Sequence, residues 1–170
     1  EILFSEIKPL LEKDLRQIDP CIRCHAFESR WPLQKLPSRK QLEDLCGDKE
    51  RGPFFKGILA KLDRDGSLPD AATLTAHGIQ LGDGLRIFAI EGELVADLGK
   101  LIISEYGGGL TIPLGYSNGT GLYLPTSAQI DEGGYEVDSY SEYYYAAPLA
   151  KGTEDIVAGI VARMKLAGIG

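Results

Sequence analysis

The sequence holds little of what several functional classes require. Cysteine occurs three times in 170 residues, an odd and small number that builds no disulfide framework. Positive charge is scarce. Eighteen lysines and arginines against 25 aspartates and glutamates leave a net charge of −7, whereas a phosphate-binding surface needs clustered cations. Nucleic acid is therefore excluded as an expected partner. No apolar run approaches the roughly 20 residues that span a bilayer, so no transmembrane segment is expected. Nothing at the start reads as a signal peptide, and because the chain opens on Glu1 rather than Met, its natural N-terminus is expected upstream. No repeat, low-complexity tract or domain boundary interrupts the sequence, and its length suits one domain, residues 1–170, with a genuine core.

What is present is an alternation of helical and extended patterns. Residues 5–18 place Ile7, Leu10, Leu11, Leu15 and Ile18 at helical spacing behind Ser5 as a cap, and Asp19-Pro20 ends that helix. Residues 21–31 read as a strand. Ser38 opens a second helix with Leu42 and Leu45 inward and an end near Gly47, and a third helix covers about 53–62. Leu74–Leu81 and Leu85–Ile90 read as strands joined by the Gly82-Asp83-Gly84 turn, a hairpin signal. A helix from about Glu93 to Tyr106 ends at Gly107-Gly108-Gly109, a strand follows over 110–116, and a last helix spans about 153–167. The expected class is α/β: a mixed sheet containing a β-hairpin and a parallel βαβ unit, flanked by helices. The strand–helix–strand unit over 85–116 implies a parallel crossover. It brings the loops at Glu91-Gly92-Glu93 and Ser117-Asn118-Gly119 to one sheet edge, where open α/β sheets bind ligands.

Several local patterns invite chemistry that their context withholds. Cys21-Ile22-Arg23-Cys24-His25 is a complete C-x-x-C-H string of the haem-attachment type, but it falls in a strand and is read as carrying ordinary reduced thiols. The LDRDG turn at 62–66 has the wrong spacing for a calcium loop. The tyrosines of SYSEYYY at 139–145 suit either a ligand groove or an edge strand or loop lying on the core. Taken singly, Glu93 is a carboxylate favoured in the first turn of a helix, Tyr123 a half-buried aromatic and Asn118-Gly119 a turn.

Three segments taken together carry more. IEGELVADLGK at 90–100 has a Gly-Glu pair. GYSNGTGLYLPT at 115–126 has Asn118, Tyr123 five residues later and Thr126 three beyond. EGGYE places Tyr135-Glu136 twelve residues after Tyr123. In this order and spacing the chain resembles the later part of the catalytic domain of the neutral ceramidase-like family. The looser likeness of LPSRKQLEDL (36–45) and APLAKGTEDIV (147–157) extends that resemblance over most of the sequence. It departs where Glu91 replaces a proline, where the loop lacks a tyrosine two residues after Asn118, and where Asp131-Glu132-Gly133-Gly134 precedes the Tyr-Glu pair.

The resemblance implies a zinc-dependent amidohydrolase acting on an N-acyl bond, of ceramide or another lipid or small-molecule amide. It implies Glu93 and Tyr123 as two of the family's four protein ligands to zinc, and Tyr135 as a catalytic residue contacting the substrate amide. The other ligands, two histidines, and the serine nucleophile belong upstream, in the remainder of the same catalytic domain. His25 and His77 do not lie in the family's histidine motifs. The chain by itself is therefore expected neither to retain zinc firmly nor to hydrolyse amides. The alternative is a non-catalytic binding or scaffold domain that keeps the fold.

Overall fold

The structure is a computed structural model that describes residues 2–15 and 17–170. Its centre is a four-stranded mixed sheet in the order β1-β2-β3-β5. Strand β1 is Pro20–Pro32, β2 is Ala71–Gly82, β3 is Leu85–Ile90 and β5 is Leu110–Leu114. Strands β1 and β2 pair antiparallel, β2 and β3 form the hairpin turning at Asp83-Gly84, and β3 pairs parallel with β5. The parallel pair is joined through helix α4, Ala96–Tyr106. The fold is thus α/β with both the hairpin and the βαβ unit. Among the described residues no helix is long and apolar enough to cross a membrane.

One face of the sheet carries the core. Alternation puts Leu74, Ala76, Phe88 and Ile90 on that face, all 2% exposed or less. Helix α4 and helix α7, Thr153–Leu166, pack on it and on each other. A Cβ at Gly78 would lie 2.7 Å from the Met164 sulfur, so the absent side chain lets α7 come close. Trp31 is fully buried, and its indole donates to Ser29 Oγ at 2.9 Å, which in turn donates to the Leu74 carbonyl at 2.9 Å. Helices α2 (Arg39–Leu45) and α3 (Gly52–Asp65) form a second apolar cluster of Leu42, Phe55 and Ile58. Ser38 opens α2 as expected, in a capping box with Gln41, but Leu45 is exposed rather than inward.

The other face of the sheet is open. Cys24, Ile79, Ile87 and Ile112 follow one another across the four strands as register partners, and Ala26, His77, Ala89 and Leu114 form the next row.

Helix α1 departs from its expected span. It runs Ile2–Leu11, and Ser5 lies inside it, its hydroxyl donating to the Ile2 carbonyl at 2.7 Å. The expected continuation to residue 18 fails over the described positions, and Arg16 lies outside them. Leu15 is exposed, and Ile18 leaves the helical path to pack at the hairpin end against Gly82.

Candidate functional site

Residues Glu93 and Leu94 belong to a two-residue strand, β4, and not to the start of a helix. This strand pairs parallel with β6, Tyr123–Leu124, in the register Glu93↔Tyr123, and α4 begins only at Ala96, with Val95 as its cap. A glutamate beside a helix start satisfies the helix dipole equally well in sequence terms, and only the long-range pairing decides between the two. The bonds that fix it are Glu93 N–H to the Leu122 carbonyl at 2.6 Å and Val95 N–H to the Leu124 carbonyl at 3.5 Å. Register partners on adjacent strands sit about 4.8 Å apart with side chains on the same side, so Glu93 and Tyr123 project together.

Glycine makes this crossing possible. Gly92 has φ +98°, and a Cβ there would lie 2.7 Å from the Leu122 carbonyl oxygen. Its own carbonyl accepts from Tyr116 N–H at 2.8 Å. At Gly115 a Cβ would meet the Gly92 carbonyl and the Leu94 amide, each at 2.9 Å. The chain leaving β5 therefore passes directly over the chain leaving β3, and strand β5 stops at Leu114 rather than at residue 116. Beyond it, Tyr116 and Asn118 hold φ of 52° and 65°, a left-handed conformation that costs a side-chain-bearing residue roughly 1 kcal/mol or more. The loops at 91–93 and 117–119 do meet at one edge, since Gly92 N–H donates to the Gly119 carbonyl at 3.4 Å.

The three residues singled out by the motif spacing lie together. The Tyr123 and Tyr135 rings meet edge to face with centroids 5.4 Å apart. Helix α6, Tyr135–Asp138, carries Tyr135 in its first turn, and the Tyr135 hydroxyl donates to Glu142 Oε2 at 3.5 Å. Two further phenols join them. Tyr116 donates its hydroxyl to Glu93 Oε2. Tyr143, in a 3-10 turn over Ser139–Tyr143, packs half-buried against the core within the influence of Glu93. Neither was singled out. Tyr116 lies two residues before Asn118 in the same loop, which was its only signal, and Tyr143 was submerged in the tyrosine tract. Of that tract's two readings the structure shows a short helical turn on the core: Tyr140, Tyr143 and Tyr145 pack inward and Tyr144 is exposed.

The electrostatics are uniform in sign. Hydrogen bonding to the Glu93 carboxylate, then partial burial and further negative charge, hold Tyr123 far above the ordinary phenol range. The charge of Glu142 comes first in raising Tyr135, and burial comes first in raising Tyr143, with Glu93 next. Two carboxylates, Glu93 and Glu142, thus favour the protonated phenol at Tyr123, Tyr135 and Tyr143. Such a cluster of oxygen donors favours a cation, and a bound cation reverses the preference by stabilising phenolate.

As a zinc site the cluster fits in part. Glu93 and Tyr123 offer two oxygen donors at neighbouring rungs, and zinc accepts carboxylate oxygen at about 2.0–2.2 Å. A firm zinc site needs two further donors. Among the described residues no group of three or more His, Cys, Asp or Glu side chains gathers to hold a metal ion. His77 sits on β2, its Nε2 3.1 Å from Asn118 Nδ2. The C-x-x-C-H string lies extended along β1, and all three cysteines are free.

No family model matches the chain, and no curated protein or solved structure matches it.

Proposed function

We propose that the chain is the later part of a ceramidase-like zinc amidohydrolase domain that cleaves the amide of an N-acyl lipid. The observation that carries this reading is the Glu93–Tyr123 rung, with Tyr135 against Tyr123. Residues 30 and 42 positions downstream of Glu93 are brought to one point, at the spacing that the family resemblance assigns to two ligands and a substrate contact.

In this reading the metal, when bound, polarises the amide carbonyl as a Lewis acid. The chain's own residues do the rest of what this half contributes. Glu93 and Tyr123 would be two of the residues that hold the ion. Tyr116, donating to Glu93 Oε2, fixes the rotamer of that carboxylate. Tyr135, exposed at the mouth, presents a protonated hydroxyl that donates to the substrate. The remainder of the domain supplies two imidazoles and the serine nucleophile. The isolated chain is then inactive toward amides and a weak zinc binder, because two oxygens alone make a poor site. The scaffold reading has its own support in the departures around the loop, chiefly Glu91, whose Oε2 accepts from Thr75 N–H at 2.8 Å and so serves the fold.

The test supplies the missing nitrogen donors as free imidazole and titrates zinc into the purified chain at mildly alkaline pH, reading the near-ultraviolet absorbance of tyrosinate. Zinc should generate about one tyrosinate per chain, because the metal must displace a proton that Glu93 otherwise keeps in place. The signal should disappear in Tyr123→Phe and weaken strongly in Glu93→Gln. A wild-type chain with no tyrosinate at zinc concentrations shown by a separate binding measurement to saturate it, or a Tyr123→Phe variant with an unchanged signal, would sink the ligand assignment.

A further inference from the structure

Two apolar surfaces in this chain stand without a partner. The first is the open face of the sheet. On β5, Leu110, Ile112 and Leu114 are 60%, 38% and 42% exposed. They continue through the half-buried register partners Leu85 and Ile87 on β3, with Ala89 already buried, and Ile87 continues to Ile79 on β2, beside a groove of about 470 Å³. Strands β3 and β5 are parallel, the pairing that in all-parallel sheets is covered on both faces. The second surface is α1, in which no residue is buried. Leu3, Phe4, Ile7, Leu10 and Leu11 follow the i, i+1, i+4, i+7, i+8 pattern of an apolar stripe, with Glu6 and Lys8 at its flanks and Ser5, Pro9 and Ile2 on the far side.

We infer that α1 is the cover of the open sheet face, a third layer that closes over β3 and β5 opposite α4 and α7. Three observations point to this occupant rather than to a second chain. The dimensions agree: a helix of ten residues is about 15 Å long and 10 Å across, which spans the exposed length of β5 and the width of two strands about 4.8 Å apart. The tether starts in the right place, because Ile18 lines a cleft with Asp83, Gly84, Gly109 and Leu110, at the end of the sheet where the uncovered strand β5 begins. Seven residue steps of chain separate Leu11, the end of α1, from Ile18, a covalent reach of at most about 25 Å and enough to carry α1 along the face. A tether of this length also holds the helix at an effective concentration on the order of millimolar, above that of any second copy in dilute solution. Closing would convert two exposed stripes into one helix-on-sheet layer, the arrangement in which α/β sheets bury their second face. This inference is independent of the metal reading.

The experiment uses the full chain with Cys21, Cys24 and Cys46 replaced by serine and a new pair Ile7→Cys and Ile112→Cys, oxidised at low protein concentration. A matched control pairs Ile7→Cys with Ser104→Cys, on the exposed side of α4 beyond the covered face. The expected result is a fast intramolecular disulfide in the first pair, at least about tenfold faster than in the control, as millimolar against unguided encounter requires. A predominantly intermolecular disulfide would overturn the inference in favour of a second copy, and equal rates in the two pairs would overturn it in favour of a cover from another chain. Because α1 buries nothing, Ile7→Asp in the otherwise native chain leaves the folded core intact and gives a second reading. It should raise binding of a hydrophobic dye and speed amide exchange in β5, and no change in either would also refute the cover.

Discussion

Gly92 is the position at which local conformation and site geometry are most tightly joined, and Gly92→Ala puts a number on that connection. Two costs add. The residue has φ +98°, and forcing a side-chain-bearing residue into such a region costs roughly 1–3 kcal/mol. The new Cβ would also lie 2.7 Å from the Leu122 carbonyl oxygen and 3.3 Å from Leu124 Cγ. That carbonyl accepts the Glu93 N–H bond that sets the β4/β6 rung, so relief of the clash requires parting the two strands and losing about 1 kcal/mol with each hydrogen bond. The sum is about 3 kcal/mol, which for a domain of this size lowers the melting temperature by roughly 6–12 °C. Gly107→Ala is the control. Gly107 also has positive φ, +73°, but its Cβ would meet nothing closer than Ser104 O at 3.9 Å, so it pays only the left-handed penalty of roughly 1 kcal/mol. Thermal melts followed by the fluorescence of Trp31, the single and fully buried tryptophan, compare the two directly. Alkaline titration of tyrosine absorbance gives the second readout, because parting the rung should bring Tyr123 back toward the ordinary phenol range. If Gly92→Ala melts with Gly107→Ala and Tyr123 titrates as before, the crossing does not hold the rung and the account of the site is wrong.

Two further substitutions test the supports of the fold. Glu154 accepts from Ser127 N–H at 2.7 Å and from Ser127 Oγ at 2.5 Å, tying the start of α7 to helix α5, Ser127–Glu132. Burial alone would raise this carboxyl, but the hydrogen bonds from Ser127 and Thr153 outweigh it and leave its pKa lowered. A depressed folded pKa stabilises above the unfolded value of about 4.3 and loses that stability as pH falls through the folded value. The gap in urea midpoint between wild type and Glu154→Gln should therefore be widest near neutrality and close in acid; a gap independent of pH would contradict the assignment. Arg86, 3% exposed, donates to the Gly108 carbonyl and to Thr111 Oγ1, both at 2.8 Å, and its guanidinium lies 4.6 Å from the centre of the Tyr106 ring. Arg86→Met should cost about 1–3 kcal/mol by chemical denaturation, since it leaves the buried Thr111 hydroxyl without its donor. Arg86→Lys should recover less than half, because an ammonium lacks the planar fork; a neutral methionine variant would show that this hydroxyl finds water instead.

Much of the fold was legible because local chemistry and tertiary structure agree there. The Asp83-Gly84 turn between two alternating runs, Ser38 at the start of α2, and the glycine stop at Gly107 each announce an element through its own backbone requirement. Legibility failed where a remote partner decided the outcome. The helical period through Leu15 and Ile18 continues past the real end of α1 because Ile18 is claimed by the hairpin end instead. Glu93 reads as a helix start because nothing nearby reveals that Tyr123 will pair with it. The segment 127–143 forms α5, α6 and a 3-10 turn, pieces too short to establish a period of their own. At the site, the resemblance pointed to Glu93, Tyr123 and Tyr135, three residues that the fold places together. The approach of Tyr116 and Tyr143 depends on loops folding back, which no spacing encodes.

The β4/β6 rung also bears on how such a site can change over time. The distance between Glu93 and Tyr123 is set by main-chain hydrogen bonds, and the chain between them makes a closed excursion through α4 and β5 before returning. Insertions and deletions at the exposed Gly107–Gly109 turn of that excursion, away from the Gly115 crossing, alter its length without moving either end. Both side chains stand partly in solvent and carry little of the core. The two strands therefore act as a fixed socket with exchangeable heads, in which new donors can be tried at positions 93 and 123 at small cost to folding. The residues that cannot vary are the silent ones beside them, Gly92 and Gly115, which take no part in any reaction and hold the gauge.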